Sequence, residues 1–148
     1  MGVCAKMCIR LVFFSYNWPY MKRFSSENQK VGRVGEDVAC RFLEQKAFLI
    51  YERNYTKPWG EIDIVALKDK EIHFIEVKTI SVLDDSEPWI RPAENMTPAK
   101  LKKCEHIAES YVMDKKVRGK WFYDAIFIII HESERRAEVE FLENIFNG

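Results

Sequence analysis

Two alternating segments, separated by three residues, constrain the fold more than any other part of the chain. Residues 61–67 and 71–78 alternate charged or polar with aliphatic side chains, which is the two-residue period of a β-strand. The connection over residues 68–70 is the length of a tight turn. The pattern therefore predicts a β-hairpin over residues 61–78.

The register of this hairpin decides which charged residues meet. If residues 69 and 70 form a two-residue turn, Asp63 lies opposite Glu76 and Glu61 lies opposite Lys78. A four-residue loop with the same centre keeps this register, whereas a three-residue loop or a bulge shifts it by one residue. Directly opposed residues share a face of the sheet.

Opposed carboxylates repel each other, so a positive partner is expected near Asp63 and Glu76. Lys78 points to the same face as Glu76 and supplies one positive charge. Mg²⁺ would supply more, since it binds one or two carboxylates and keeps waters for a phosphate substrate. The alternative is a solvent-exposed face of alternating charges, and the hairpin alone leaves both interpretations open.

The composition is that of one globular domain. The chain has 148 residues, of which 47% are hydrophobic, and this is enough for a sizeable core. The formal net charge of zero argues against a protein that coats nucleic acid non-specifically. Basic residues are in excess over 1–60 and 96–120, and acidic residues over 61–95 and 121–148.

The N-terminal residues match no element of the predicted pattern. We expect residues 1–24 to be an extension, either disordered or not translated, with Met21 as an alternative start. The apolar run over 11–14 is too short for a signal peptide or a membrane span. The cysteines show neither a CxxC pair nor zinc-finger spacing and are predicted to be free thiols. We therefore expect a soluble, cytoplasmic protein that does not bind membranes.

The rest of the chain predicts alternating helices and strands. Ser26 and Gln29 have the spacing of a capping box at the start of an amphipathic helix over 27–46. A strand is expected over 48–55, before the break at Pro58-Trp59-Gly60.

After the hairpin, a loop is expected over 81–96. Thr97-Pro98 has the sequence of a helix N-terminus, and the helix should continue to about residue 113. The apolar run 121–130 predicts a central strand, and the alternation over 136–142 predicts an edge strand. Together these elements predict a mixed sheet with helices packed against it.

Six short motifs in this order make the chain similar to a known family. They are Gly35-Glu36, Arg53-Asn54-Tyr55, Gly60-Glu61-Ile62-Asp63, Glu76-Val77-Lys78, Thr97-Pro98-x-Lys100 and Tyr123-Asp124. Over residues 28–145 the chain resembles the YraN-like family of uncharacterised bacterial proteins, which belongs to the PD-(D/E)xK, or restriction-endonuclease-like, nuclease superfamily. An Asp followed after a hairpin by Glu-x-Lys is moderately specific alone and strong with the flanking elements in order.

The resemblance implies a nuclease-like α/β domain over residues 25–148, with a central mixed sheet flanked by helices. It implies that Asp63 and Glu76 bind Mg²⁺ or Mn²⁺ and that Lys78 positions or activates the attacking water. The reaction would be hydrolysis of phosphodiester bonds, in DNA rather than RNA, during repair or recombination. A metal suits this task because it neutralises the transition state and lowers the pKa of bound water.

Two candidate residues of the site have structural alternatives. Glu36 is the candidate third catalytic and metal-binding carboxylate, and the alternative is a solvated helix glutamate. Gly32 and Gly35 beside it each cost about 1 kcal/mol in a helix, which a close approach to the sheet would justify. The alternative for Lys78 is a cross-strand ion pair with Glu61.

The predicted nucleic-acid-binding surface is the basic stretch over 100–120, with Lys100, Lys102 and Lys103 as the main candidates. Lys100 lies in the first turn of its helix, where a cation opposes the helix dipole, so either a phosphate or carboxylate partner or an ordinary surface lysine is expected. The acidic residues Asp84, Asp85 and Glu87 depart from the family pattern and would repel a phosphate backbone.

Asp124 interrupts an apolar strand, and a structural pair with a base such as Arg53 is expected. The three histidines show no ligand spacing and receive no role.

The second functional hypothesis is a catalytically inactive module of the same fold that binds nucleic acid or a protein. A homodimer is compatible with either function.

Overall fold

A mixed β-sheet forms the centre of the computed structural model, which describes residues 6–7, 27–83 and 96–148. The strands are β1 (Lys6–Met7), β2 (Leu49–Lys57), β3 (Gly60–Lys68), β4 (Glu71–Val82), β5 (Trp121–His131) and β6 (Arg136–Asn147). Their order is β1-β6-β5-β4-β3-β2. Only β4 and β5 pair in parallel among the described strands.

One helix covers each face of the sheet. Helix α1 (Glu27–Gln45) packs on the face that includes Ile75 and Ile126, and α2 (Pro98–Asp114) packs on the face that includes Phe74 and Tyr123. Helix α2 connects the parallel strands β4 and β5, as a crossover helix must. The predicted single α/β domain with a mixed sheet and flanking helices is confirmed. No described helix is long and apolar enough to cross a membrane.

The predicted turn and register of the β3–β4 hairpin are confirmed. Asp69 and Lys70 both have positive φ angles, 52° and 67°, as a two-residue type I′ turn requires. Pairing runs from Lys68 with Glu71 to Ile64 with Ile75. Residue 63 therefore comes directly after the last pair of the ladder.

Several predicted boundaries change because strand pairing continues further than the local pattern. Strand β4 stays paired with β5 as far as residue 82, so the predicted loop begins later than residue 81. Strand β6 runs to residue 147 and is not the outermost strand, since β1 pairs with its residues 141 and 142. The N-cap at Thr97 is confirmed, with its Oγ1 accepting from the Lys100 amide at 3.4 Å.

Three predicted features lie outside the described residues. They are the capping residue Ser26, the acidic segment 84–87 and, apart from Lys6–Met7, the N-terminal extension over 1–24. The β1 strand pairs with β6, although no strand is predicted there from the sequence.

The expected pairing of Asp124 with Arg53 is wrong. Asp124 is fully buried, and its Oδ2 lies 2.6 Å from Nδ1 of His73, while its Oδ1 accepts from the Asn144 amide at 2.7 Å. His73 lies on β4, the strand next to β5, whereas Arg53 lies two strands further along the sheet. Arg53 binds Glu36 and Asp37 of α1 instead. His73 thus has the structural role that the sequence did not assign.

A glycine sets the distance between α1 and the sheet. A Cβ atom on Gly35 would lie 1.7 Å from Oγ1 of Thr79 on β4, so only glycine allows this approach. Gly32 is different, because a Cβ there would meet nothing within 4 Å. The close approach predicted for both glycines therefore holds for Gly35 alone.

We expect Gly35→Ala to destabilise the protein by about 1–3 kcal/mol, because Thr79 and the helix backbone must move apart. Gly32→Ala is the matched control and should stabilise it by about 0.5–1 kcal/mol, since alanine favours the helix and fills open space. Urea denaturation measures both changes. Equal effects of the two substitutions would contradict this account of the helix–sheet contact.

Candidate functional site

The candidate site begins where the β3–β4 ladder ends. The Val77 amide of β4 donates to Oδ2 of Asp63 at 2.7 Å. Beyond the last backbone pair of the β3–β4 ladder, a side chain of β3 therefore accepts the hydrogen bond from β4. Asp63 is thereby held beside Glu76, as the hairpin register predicts. The second carboxylate oxygen of Asp63 is left for another interaction.

Glu76 is held on the α2 side of the sheet with two lysines beside it. Its side chain is 14% exposed, and its Oε1 lies 4.0 Å from Nζ of Lys100 at the start of α2. Lys78 follows two residues later on the same strand, on the same face. The carboxylate partner expected for Lys100 is therefore Glu76, and the two lysines oppose the negative charge of the site.

The two carboxylates disfavour each other's ionisation. Burial is the largest cause that raises the pKa of Asp63 to about 7, and the neighbouring Glu76 is the next. Burial also raises the pKa of Glu76, while Lys100 and Lys78 act in the opposite direction. The pKa of Lys100 is lowered, first by burial and then by the adjacent Lys78. The cluster would be stabilised by more positive charge than its own lysines provide.

Glu36 lies at the margin of this cluster. Its Oε2 accepts from Arg53 at 3.1 Å and from Asn54 at 3.4 Å, and Glu36 contributes to the raised pKa of Asp63. Within residues 27–83 and 96–148, no three His, Cys, Asp or Glu side chains converge as a metal cage. The role of Glu36 as a third ligand stays a prediction.

The alternative role of Lys78, a cross-strand ion pair with Glu61, is not observed. Pairing of β3 with β4 ends before residue 63, so Glu61 and Lys78 are not opposed in the ladder. Glu61 is exposed at the start of β3. In the described part of the chain, Lys78 forms no ion pair with Glu61.

A cleft of about 150 Å³ opens beside Glu76. It lies between α2 and the turn that joins β2 to β3, and its lining comprises Trp59, Gly60, Glu61, Glu76, Lys100, Lys103, Cys104 and Ile107. Of the predicted nucleic-acid-binding lysines, Lys100 and Lys103 line the cleft, whereas Lys102 is exposed outside that lining.

Two residues near the site receive no functional role from the sequence patterns. Trp59 is predicted only as part of the break at residues 58–60, but it lines the cleft. Tyr123 is fully buried beside the cluster, and its pKa is raised by burial and by the nearby Glu76 and Cys104. Its hydroxyl remains protonated at neutral pH and interacts with the thiol of Cys104.

The fold and the paired acids define a single-domain α/β protein with a charged cleft beside its central hairpin. A family model described as "Uncharacterised protein family UPF0102" matches residues 35–128, which include α1 from Gly35, the hairpin and α2. The chain belongs to this family, and the expected membership of the YraN-like family is confirmed.

Named relatives support the same assignment. A UPF0102 protein from Sulfurovum sp. (strain NBC37-1) is 43% identical over 115 residues, covering 77% of this chain and 91% of the relative. The UPF0102 protein of Dictyoglomus thermophilum is 39% identical, and the match covers 80% of this chain and 98% of the relative. The UPF0102 protein of Helicobacter hepaticus is 40% identical, and the match covers 77% of this chain and 92% of the relative. The domain of these relatives is thus matched over nearly their whole length.

The raised pKa of Asp63 predicts a pH dependence of stability without metal. Folding raises this pKa from about 3.9 to about 7, so the folded state favours the protonated acid. In EDTA the free energy of unfolding should therefore fall as the pH rises from about 4 to about 7. Asp63→Asn cannot ionise and should lose this part of the decline, as measured by urea denaturation across this range. If the free energy of unfolding falls with pH as steeply in Asp63→Asn as in wild type, the decline does not come from the raised pKa of Asp63.

Proposed function

We propose that the protein is a Mg²⁺- or Mn²⁺-dependent nuclease of the restriction-endonuclease-like superfamily, which hydrolyses phosphodiester bonds in DNA. The observation that supports this most is the proximity of Asp63, Glu76 and Lys78 at the end of the hairpin ladder, where Glu76 also lines an open cleft. The order of these residues matches the Asp and Glu-x-Lys pattern of that superfamily. Branched or single-stranded repair intermediates are the proposed substrates.

The residues present fit a hard divalent cation. Asp63 and Glu76 provide oxygen ligands whose mutual repulsion a cation would relieve. Two carboxylates without a complete protein cage suit Mg²⁺, which keeps waters and takes substrate phosphates as ligands. Glu36 is the proposed third carboxylate. When bound, the cation would supply charge neutralisation at the scissile phosphate and lower the pKa of an attacking water.

Three lysines would position the attacking water and bind the substrate phosphate. Lys78, which interacts with both Glu76 and Lys100, would orient or deprotonate the attacking water. Lys100 approaches the same carboxylate from α2 and would bind a phosphate oxygen of the substrate. Lys103 extends this positive surface along the wall of the cleft.

The direct test is cleavage of a panel of branched, flapped and single-stranded DNA with Mg²⁺ or Mn²⁺. We expect Asp63→Ala, Glu76→Ala and Lys78→Ala each to abolish cleavage, because each removes a ligand or the group that positions water. Lys102→Ala is the control outside the cleft and should retain activity. An inert wild type, or an active Asp63→Ala variant, would contradict the nuclease proposal.

Saturation with Mn²⁺ tests the metal site without a substrate. A cation that binds only the folded state stabilises it by about 2.7 kcal/mol at a hundredfold excess over its Kd, or roughly 5–10 °C in Tm. Asp63→Asn should melt at or above wild type in EDTA and gain less from Mn²⁺. Melts at matched ionic strength provide the control. Equal responses of wild type and Asp63→Asn would exclude Asp63 as a ligand.

The two exposed lysines of α2 give a matched test of the binding surface. Lys103→Gln should lower the slope of log K against log salt for single-stranded DNA by about 0.7, because one phosphate contact is lost. Lys102→Gln should change this slope less, since Lys102 does not line the cleft. Fluorescence anisotropy at several salt concentrations measures both slopes. A larger effect of Lys102→Gln would place the nucleic acid outside the cleft.

The second candidate function is a non-catalytic module of the same fold that binds nucleic acid or a protein. The observation in its favour is the engagement of Glu36 by Arg53 and Asn54, which competes with a role as a metal ligand. DNA binding without cleavage or a metal response would support this function over the first.

A further inference from the structure

Trp59 is exposed but held in a fixed orientation. Its side chain is 51% exposed in the turn between β2 and β3. Its Nε1 donates to Oγ of Ser110 at 3.0 Å, and that hydroxyl donates to the His106 carbonyl at 2.9 Å. The His106 ring lies 6.0 Å from the indole, tilted by 41°. Helix α2 therefore fixes an indole whose surface remains open to solvent.

The position of the indole relates it to the charged site. Trp59 lines the same cleft as Glu76, Lys100 and Lys103. An aromatic surface thus forms one part of a wall whose other parts include two ammonium groups. A purely apolar ligand would make no use of the two ammonium groups, and a simple anion would make no use of the indole. A ligand with a flat ring and an attached negative charge complements both.

We propose that Trp59 is a stacking platform for an unpaired base of single-stranded DNA, with an adjacent phosphate at Lys100 and Lys103. This inference rests on the proposed function and specifies its substrate. Base–aromatic stacking tolerates any sequence because every base has a π face. Bases inside a duplex are already stacked on their neighbours, so Trp59 selects single strands, flaps and unpaired positions of branched DNA.

A pair of oligonucleotides isolates the contribution of the bases. Fluorescence anisotropy compares a labelled oligo(dT) with an abasic strand of the same length and charge, in Ca²⁺ without Mg²⁺, and a gel verifies that both stay intact. Wild type should bind oligo(dT) at least about fivefold more tightly than the abasic strand. Trp59→Ala should reduce this ratio to about one without changing the affinity for the abasic strand.

Matched variants separate stacking from folding. Trp59→Phe keeps an aromatic face and should retain most of the ratio, whereas Trp59→Leu is apolar without a π face and should lose it. Tyr51→Ala removes another exposed aromatic, 70% exposed on β2 and outside the cleft lining, and should behave as wild type. Thermal melts check that each variant is folded, and Trp59→Leu replaces Trp59→Ala if the latter is not.

The proposal is overturned if Trp59→Leu keeps the wild-type ratio of affinities, or if it weakens the binding of both strands equally. It is also overturned if wild type does not prefer oligo(dT) to the abasic strand. The assay involves no cleavage, so it fails separately from the nuclease proposal. If the protein cleaves nothing but prefers oligo(dT) through Trp59, the stacking proposal stands and the nuclease proposal fails. If the protein cleaves DNA but its preference for oligo(dT) does not depend on Trp59, the nuclease proposal stands and the stacking proposal fails.

Discussion

The hydrogen bond from the Val77 amide to the Asp63 carboxylate is the constraint on which the site depends. It forms where the β3–β4 ladder ends, so it satisfies an amide that strand pairing no longer uses and fixes an acid beside Glu76. Burial is the main cost of this arrangement, since it raises the pKa values of both carboxylates, and the charge of Glu76 raises the pKa of Asp63 further. A bound cation would favour the ionised form of both acids, and this is the physical basis of the metal proposal.

Helix α2 completes the site because it is the crossover between parallel strands. Its first turns bring Lys100 to Glu76 and Lys103 to the cleft wall, while Ser110, further along, holds the Trp59 indole. One rigid element thus places the cations and the aromatic surface relative to the acids. On the opposite face, contact of Gly35 with Thr79 sets the distance of α1 from the sheet, and Glu36 follows it in the chain.

Local patterns predicted the hairpin well because its turn fixes its register. Asp69 and Lys70 adopt the positive φ angles of a two-residue turn, so counting residues from the turn predicts that Asp63 and Glu76 lie close together. Other features depend on partners distant in sequence. Asp124 was expected to need a base, but the choice of His73 over Arg53 required the strand order. The continuation of β4 to residue 82 likewise depends on its parallel pairing with β5.

The sequence by itself determined the alternating strands, the Thr97 helix start, the family and the three residues of the hairpin site. These follow from side-chain periodicity and short-range geometry, which act within a few residues. Only the tertiary structure decided that Lys100 meets Glu76, that Glu36 binds Arg53, and that Trp59 lies on the wall of the same cleft. These contacts join segments 17 to 51 residues apart, and the packing of two helices on opposite faces of one sheet brings them together.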